Sequence, residues 1–127
     1  VNTEKTAAKV LINKLRTTHE YRECFISAQE AMLSANSKTL LVVVDTNRPE
    51  QVEDIGLLQS CSRLAVIDHH RRAATYIENA ALSFIEPYAS SACELMTEMI
   101  EVIMDEPDLL KCEAEAILAG IVLDTTR

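Results

Sequence analysis

A short apolar run that ends in a block of charge constrains this chain more than any other feature. Leu64-Ala65-Val66-Ile67 gives way at once to Asp68-His69-His70-Arg71-Arg72. Apolar residues without polar alternation read as a buried strand, and the carboxyl edge of such a strand is where open α/β sheets place their chemistry. Two more acids end comparable runs. Asp45 follows Leu40-Leu41-Val42-Val43-Val44, and Asp124 follows Ala119-Gly120-Ile121-Val122-Leu123.

The spacing predicts strands at 39–44, 63–67 and 81–85, the last stopped by Pro87. Strand, helix, strand in so short a span is a βαβ unit with parallel strands and a right-handed crossover. It puts Asp45 and Asp68-His69-His70 at one edge of the sheet. The run at 39–44 is rich in Leu and Val without alternation, which predicts a central strand with helices on both faces. Five helices are expected around it. Ala8, Leu11, Ile12 and Leu15 recur at helical spacing within 4–18. Ser27 with Glu30 forms a capping box for a short helix to about Leu33, and Asn36-Ser37-Lys38 is a turn. Pro49 suits a first turn, followed by helix over 50–59, although Gly56 weakens it. Ser91 with Glu94 makes a second capping box, and Ala92, Leu95, Met96, Met99, Ile100 and Ile103 form a core stripe. A last helix spans 110–122, with Ala114, Ile117, Leu118, Ile121 and Val122 inward. The expected fold is α/β, a parallel sheet flanked by helices, in one domain of 127 residues.

Composition narrows the partners. Twelve basic against 20 acidic side chains give a formal charge of −8, which disfavours long nucleic acids. A small phosphate ester stays open, because local charge decides it and a bound divalent ion inverts the local sign. Cys24, Cys61, Cys93 and Cys112 have no CxxC spacing and read as free thiols of a reducing compartment. No run approaches about 18 apolar residues, so no membrane contact is expected from this segment. Val1-Asn2-Thr3-Glu4 does not open a signal peptide. The missing initiator Met and the stop at Arg127 lead us to expect a piece of a longer protein. His19, just past the first helix, suits a helix C-terminus and is given no ligand role.

The acids and imidazoles carry the chemistry. Asp45, Asp68, His69 and Asp124 offer three carboxylates and an imidazole, a donor set suited to manganese, zinc or iron. A carboxylate such as Asp45 can bridge two ions, and two ions about 3.5–4 Å apart activate water and steady a phosphoryl oxygen together. Neighbouring residues at a strand end face opposite ways, so His69 and His70 are expected to have different roles. Asp68 can orient an imidazole, and Arg71 and Arg72 present planar forks suited to phosphate. The bland readings stand beside these: an acid after a strand is common, and an arginine is often only solvated.

Val44-Asp45-Thr46-Asn47, Asp68-His69-His70-Arg71-Arg72 and Gly120-Ile121-Val122-Leu123-Asp124-Thr125 resemble successive motifs of the DHH phosphoesterase family. With Leu41 to Thr46 and Glu86-Pro87-Tyr88-Ala89-Ser90-Ser91 they resemble its cyclic di-AMP phosphodiesterase branch, the GdpP (YybT) type. The likeness covers nearly the whole chain, most firmly from 39 to 127. It implies manganese-dependent hydrolysis of cyclic di-AMP to pApA, with two ions in the complete domain. It further implies that Asp45 bridges the ions, that His69 and Asp124 ligate one of them, and that His70 lies near the substrate with Asp68 supporting the histidines. Asp68 and His70 are thus the catalytic candidates, and Arg71 and Arg72 the candidates for substrate phosphate.

The departures shape the expectation as much. The family's first metal-binding motif, a His and an Asp-x-Asp pair, has no match in residues 1–38, and its C-terminal substrate domain is expected to lie outside this stretch. The chain therefore reads as an incomplete DHH domain over 1–127, weak or inactive alone. The resemblance places it as a cytoplasmic domain of a membrane-anchored parent. Separately, an exposed sheet edge invites pairing, and self-association is expected. Two rival functions remain: a DHH-type nuclease, nano-RNase or pyrophosphatase, and a non-catalytic α/β sensing or assembly module.

Overall fold

The computed structural model describes residues 8–126. A parallel sheet of three strands forms its centre: β1 (Leu40–Val44), β2 (Arg63–Asp68) and β3 (Leu82–Ile85), in the order β1-β2-β3. Leu41 pairs with Leu64 and Val43 with Val66, while Ile67 pairs with Phe84 and Asp68 with Ile85. The helices are α1 (Lys9–Arg16), α2 (Ala28–Ser34), α3 (Ile55–Ser60), α4 (Ala92–Ile103) and α5 (Lys111–Thr125). The α/β class and the parallel βαβ unit follow the sequence. Residues 4–7 of the first predicted helix lie outside the described residues.

Local signals explain most boundaries. Ser27 and Glu30 form the reciprocal capping box that opens α2. Lys38 N donates to Asn36 Oδ1 in the turn before β1. The predicted helix at 50–59 is divided, with a 3-10 turn at Pro49–Gln51 and α3 beginning only at Ile55. Asp54 causes the division: its side chain accepts from Leu57 N at 2.8 Å and caps a new helix. Ser91 caps α4 by accepting from Glu94 N. Glu94 does not return the bond to Ser91. Its carboxylate takes Ser90 N and Ser90 Oγ at 2.5 and 2.8 Å, which holds it below the usual carboxylate range.

β2, rather than β1, is the central strand among the described residues, and this corrects the expectation for 39–44. On one face Val43, Leu58, Leu64, Val66, Cys61 and Ile77 form a buried cluster. On the other, α4 packs on β2, with Ala92 and Leu95 buried alongside Ala65 and Ile67. β1 is covered on one face only. Leu40, Val42 and Val44 are 56%, 45% and 50% exposed. An unbroken apolar run predicts burial on both faces, but the described helices cover both faces only of β2.

Helix α5 continues to Thr125 and so carries Asp124 on the helix itself, beyond the predicted end at 122. Its inward set also differs: Ala114, Leu118 and Val122 are exposed, while Ile117 and Ile121 are half-buried. The sequence is apolar around much of the helix, so periodicity selects no unique stripe. Ile103, at the end of the α4 stripe, is likewise exposed. Tyr21 hydroxyl donates to Glu113, and the bond pushes the phenol up to about 12. Lys14 Nζ meets Glu115 at 2.6 Å, tying α1 to α5.

Contact between α4 and α5 depends on Gly120. A Cβ there would fall on Cys93 Sγ, well inside van der Waals contact, and close to Cys93 Cβ as well. Gly120→Ala is expected to cost about 1–3 kcal/mol by overpacking, although alanine is the better helix former. Cys93→Ala in the same chain is expected to recover most of that loss. Urea unfolding midpoints of the single and double variants check it.

Candidate metal centre

The carboxyl edge of the sheet gathers the candidate residues. Asp45 follows β1, Asp68 is the last residue of β2, and His69 and His70 follow it directly. The ladder reaches past the strand ends on both sides: Asp45 N donates to Ile67 O at 3.0 Å and Glu86 N to Asp68 O at 2.9 Å. Asp45 then turns the chain with φ of 65°. A left-handed residue costs strain, which Asp and Asn bear better than most, and such strain clusters at functional sites.

His69 sits between two acids. Its Nε2 is 3.2 Å from Asp45 Oδ1 and 3.6 Å from Asp124 Oδ2. The Asp45 side chain is 58% exposed, whereas those of His69 and Asp124 are 14% and 20% exposed. The Nε2 atom is buried and has no hydrogen-bond partner. An unpaired imidazole nitrogen facing carboxylate oxygens is the arrangement a divalent cation satisfies, so the residues fit a metal ion. Donor atoms of Asp45, His69 and His70 all lie within 4.8 Å of one another. Asp124 meets this group through His69.

The two imidazoles are neighbours, contrary to the expectation that they point apart. Their ring centroids are 4.3 Å apart. Strand alternation ends at Asp68, so it no longer governs residues 69 and 70. Asp68 is 0% exposed and holds its neighbour twice, accepting from His70 N at 3.2 Å and from His70 Nδ1 at 2.7 Å. An ionised carboxylate only accepts, which assigns the proton to Nδ1 and leaves Nε2 as the open nitrogen of His70.

The arginines part company. Arg71 is exposed and joins the network through its carbonyl oxygen, which accepts from Asn47 Nδ2 at 3.1 Å. The Arg72 guanidinium lies 4.7 Å over the Tyr76 ring, in an open recess lined also by Asn79 and Ser83. A cation over an aromatic face is stabilised there and needs no phosphate to hold it.

Sequence reasoning passed over two participants. Asn47 is buried at the centre of the hydrogen bonds around Asp68. The only signal was an amide two residues beyond a strand-end acid. Cys93 borders the carboxylates. Burial raises its thiol above the ordinary value, and the charges of Asp124 and Asp45 add to the effect. A glycine inside a helical pattern, Gly120, was the available hint of that close approach.

The model of the DHH family, N-terminal domain, matches residues 4–121. The chain is 43% identical over 118 residues to the cyclic-di-AMP phosphodiesterase GdpP of Bacillus subtilis, covering 91% of this chain and 18% of that protein. It is 41% identical over 117 residues to the cyclic-di-AMP phosphodiesterase PdeA of Listeria monocytogenes, covering 92% of this chain and 18% of that protein. A membrane protein–large ribosomal subunit bL9 fusion protein of Onion yellows phytoplasma is 32% identical over 121 residues, with 95% of this chain and 13% of that protein covered. The chain therefore spans under a fifth of the length of these curated relatives. With the family model matched across nearly its full length and the acid–histidine cluster in place at the sheet edge, this chain belongs to the DHH family.

Proposed function

We propose that this chain is the part of a manganese-dependent phosphodiesterase that carries one metal-binding half of its active site, and that the parent protein hydrolyses cyclic di-AMP to pApA. The observation that carries the reading is the buried, unpartnered His69 Nε2 between Asp45 and Asp124. The names of the bacillar and listerial relatives support the substrate. Asp45, His69 and Asp124 would hold the metal, with His70 beside them. A divalent ion bound there supplies positive charge at the phosphoryl oxygens and lowers the pKa of water. The chain's own residues orient the donors: Asp68 fixes His70, and the left-handed turn at Asp45 sets its carboxylate at the edge. Arg71 and Arg72 are the cations within reach of a phosphate bound at the 69–72 segment, Arg72 after release from Tyr76.

Four donor side chains are few for a two-ion clamp, so the isolated chain is proposed to be weak or inactive. The parent protein, incubated with Mn2+ and cyclic di-AMP, is expected to yield pApA on chromatography. The 127-residue chain is expected to turn over at least about 100-fold more slowly, the scale of losing one arm of a preorganised charge-stabilising site. Equal rates would overturn the fragment claim. Hydrolysis of short oligoribonucleotides or pyrophosphate in preference to cyclic di-AMP would overturn the substrate.

Placement and assembly belong to the same proposal. No helix among the described residues is long and apolar enough to cross a membrane, and we place the chain in a cytoplasmic part of a membrane-anchored parent. The exposed face of β1 favours self-association of the isolated chain. Sedimentation velocity is expected to show a dimer that Val42→Glu returns to monomer. A monomeric wild-type chain would refute it.

A further inference from the structure

Asn47 touches none of the candidate ligand atoms, yet every polar atom of its amide is used. It is 2% exposed. Its Nδ2 donates to Asp68 Oδ2 at 2.7 Å and to Arg71 O at 3.1 Å, and its Oδ1 accepts from Ala73 N at 3.0 Å. Its backbone carbonyl accepts from Ile77 N at 2.8 Å. Asn47, three positions beyond β1, therefore clamps the segment that follows β2.

The division of labour on Asp68 carries the inference. Oδ2 is taken by Asn47, while Oδ1 serves both His70 N and His70 Nδ1. A carboxylate held at one oxygen cannot swing about its Cβ–Cγ bond, so the other oxygen stays under His70. We propose that Asn47 is a positioning residue of this centre: through Asp68 it keeps His70 in the Nδ1-protonated tautomer, with Nε2 turned to the Asp45–His69 cluster. The role rests on reading that cluster as a metal site, although its first test needs no metal. Partners of this kind typically change metal affinity when removed, by about 10–100-fold.

Two variants separate this role from a plain loop clamp. Asn47→Asp keeps the acceptor for Ala73 N and loses the donors to Asp68 and Arg71. Asn47→Ser is smaller and uncharged, and decides the matter if the aspartate variant fails to fold. The chain has three histidines, so 15N-histidine NMR of the metal-free chain resolves each ring. Wild-type His70 is expected to show one tautomer with the proton on Nδ1. In the variants the tautomers of His70 mix and the His69 signals stay in place. Mn2+ affinity is expected to fall by about 10–100-fold. An unchanged His70 signature in a folded variant, or a wild-type proton on Nε2, would overturn the proposal. Failure of the metal reading is visible separately, as a wild-type chain that takes up no Mn2+, and the NMR comparison then still decides the role of Asn47.

Discussion

Asp45→Asn and His69→Ala are each expected to weaken Mn2+ binding by at least about 100-fold, beyond the 10–100-fold typical of supporting residues. In the parent protein they should reduce phosphodiester hydrolysis by about 1000-fold, the upper range for removing a preorganised charge-stabilising group. The reason is the geometry at His69. Its Nε2 is buried without a partner, with Asp45 Oδ1 at 3.2 Å and Asp124 Oδ2 at 3.6 Å. Removing the ring leaves two carboxylates without their shared nitrogen. Removing the Asp45 charge leaves the nitrogen with one distant acid. Asparagine is the right replacement at 45, because φ is 65° there and asparagine adopts that backbone readily. An alanine would confuse metal loss with backbone strain. Asp124→Asn should weaken binding less, since Asp124 meets the group only through His69. His19→Ala, on an exposed 3-10 turn, should leave binding unchanged. Calorimetry and Mn2+ paramagnetic resonance on the four variants check the order. Wild-type heats in both Asp45→Asn and His69→Ala would remove the chemical basis of the proposed function.

Much of this site was legible because the residues that build it also end the strands that place it. An apolar run that stops at an acid names both the strand and the edge, and two such runs in parallel bring Asp45 and His69 together. The likeness of those edges to the DHH motifs was legible for the same reason. What sequence did not give were properties set by neighbours. β1 reads as central by composition, yet only one of its faces is covered among the described residues. Leu118 and Val122 read as inward on a helix whose apolar surface has no single side, and its true contact was selected by the absence of a side chain at Gly120. The side-by-side placement of the two imidazoles depends on where β2 stops, and periodicity does not resolve an end to one residue. Asn47 was hidden because its partners lie 21 to 26 positions away.

Asp68 shows how far this small polar core also holds the fold. Asp68→Ala is expected to lower stability by about 3 kcal/mol, as three donors lose the buried carboxylate they share. Those donors are Asn47 Nδ2, His70 N and His70 Nδ1, and the residue they share is 0% exposed. For a domain of this size the loss corresponds to a fall in Tm of roughly 10 °C. Asp68→Asn tests whether shape or charge matters. It fills the same space, but its NH2 group must face a donor whichever way the amide is turned, Asn47 on one side and His70 on the other. It is therefore expected to cost about 2 kcal/mol with no cavity at all. The matched control is Asp45→Asn, whose side chain is more than half exposed and should change stability by less than about 0.5 kcal/mol. Urea unfolding followed by circular dichroism gives all three. If Asp68→Asn unfolds with the wild-type midpoint, the two oxygens of Asp68 are not committed to opposite partners, and the route from Asn47 to His70 is broken at its middle link.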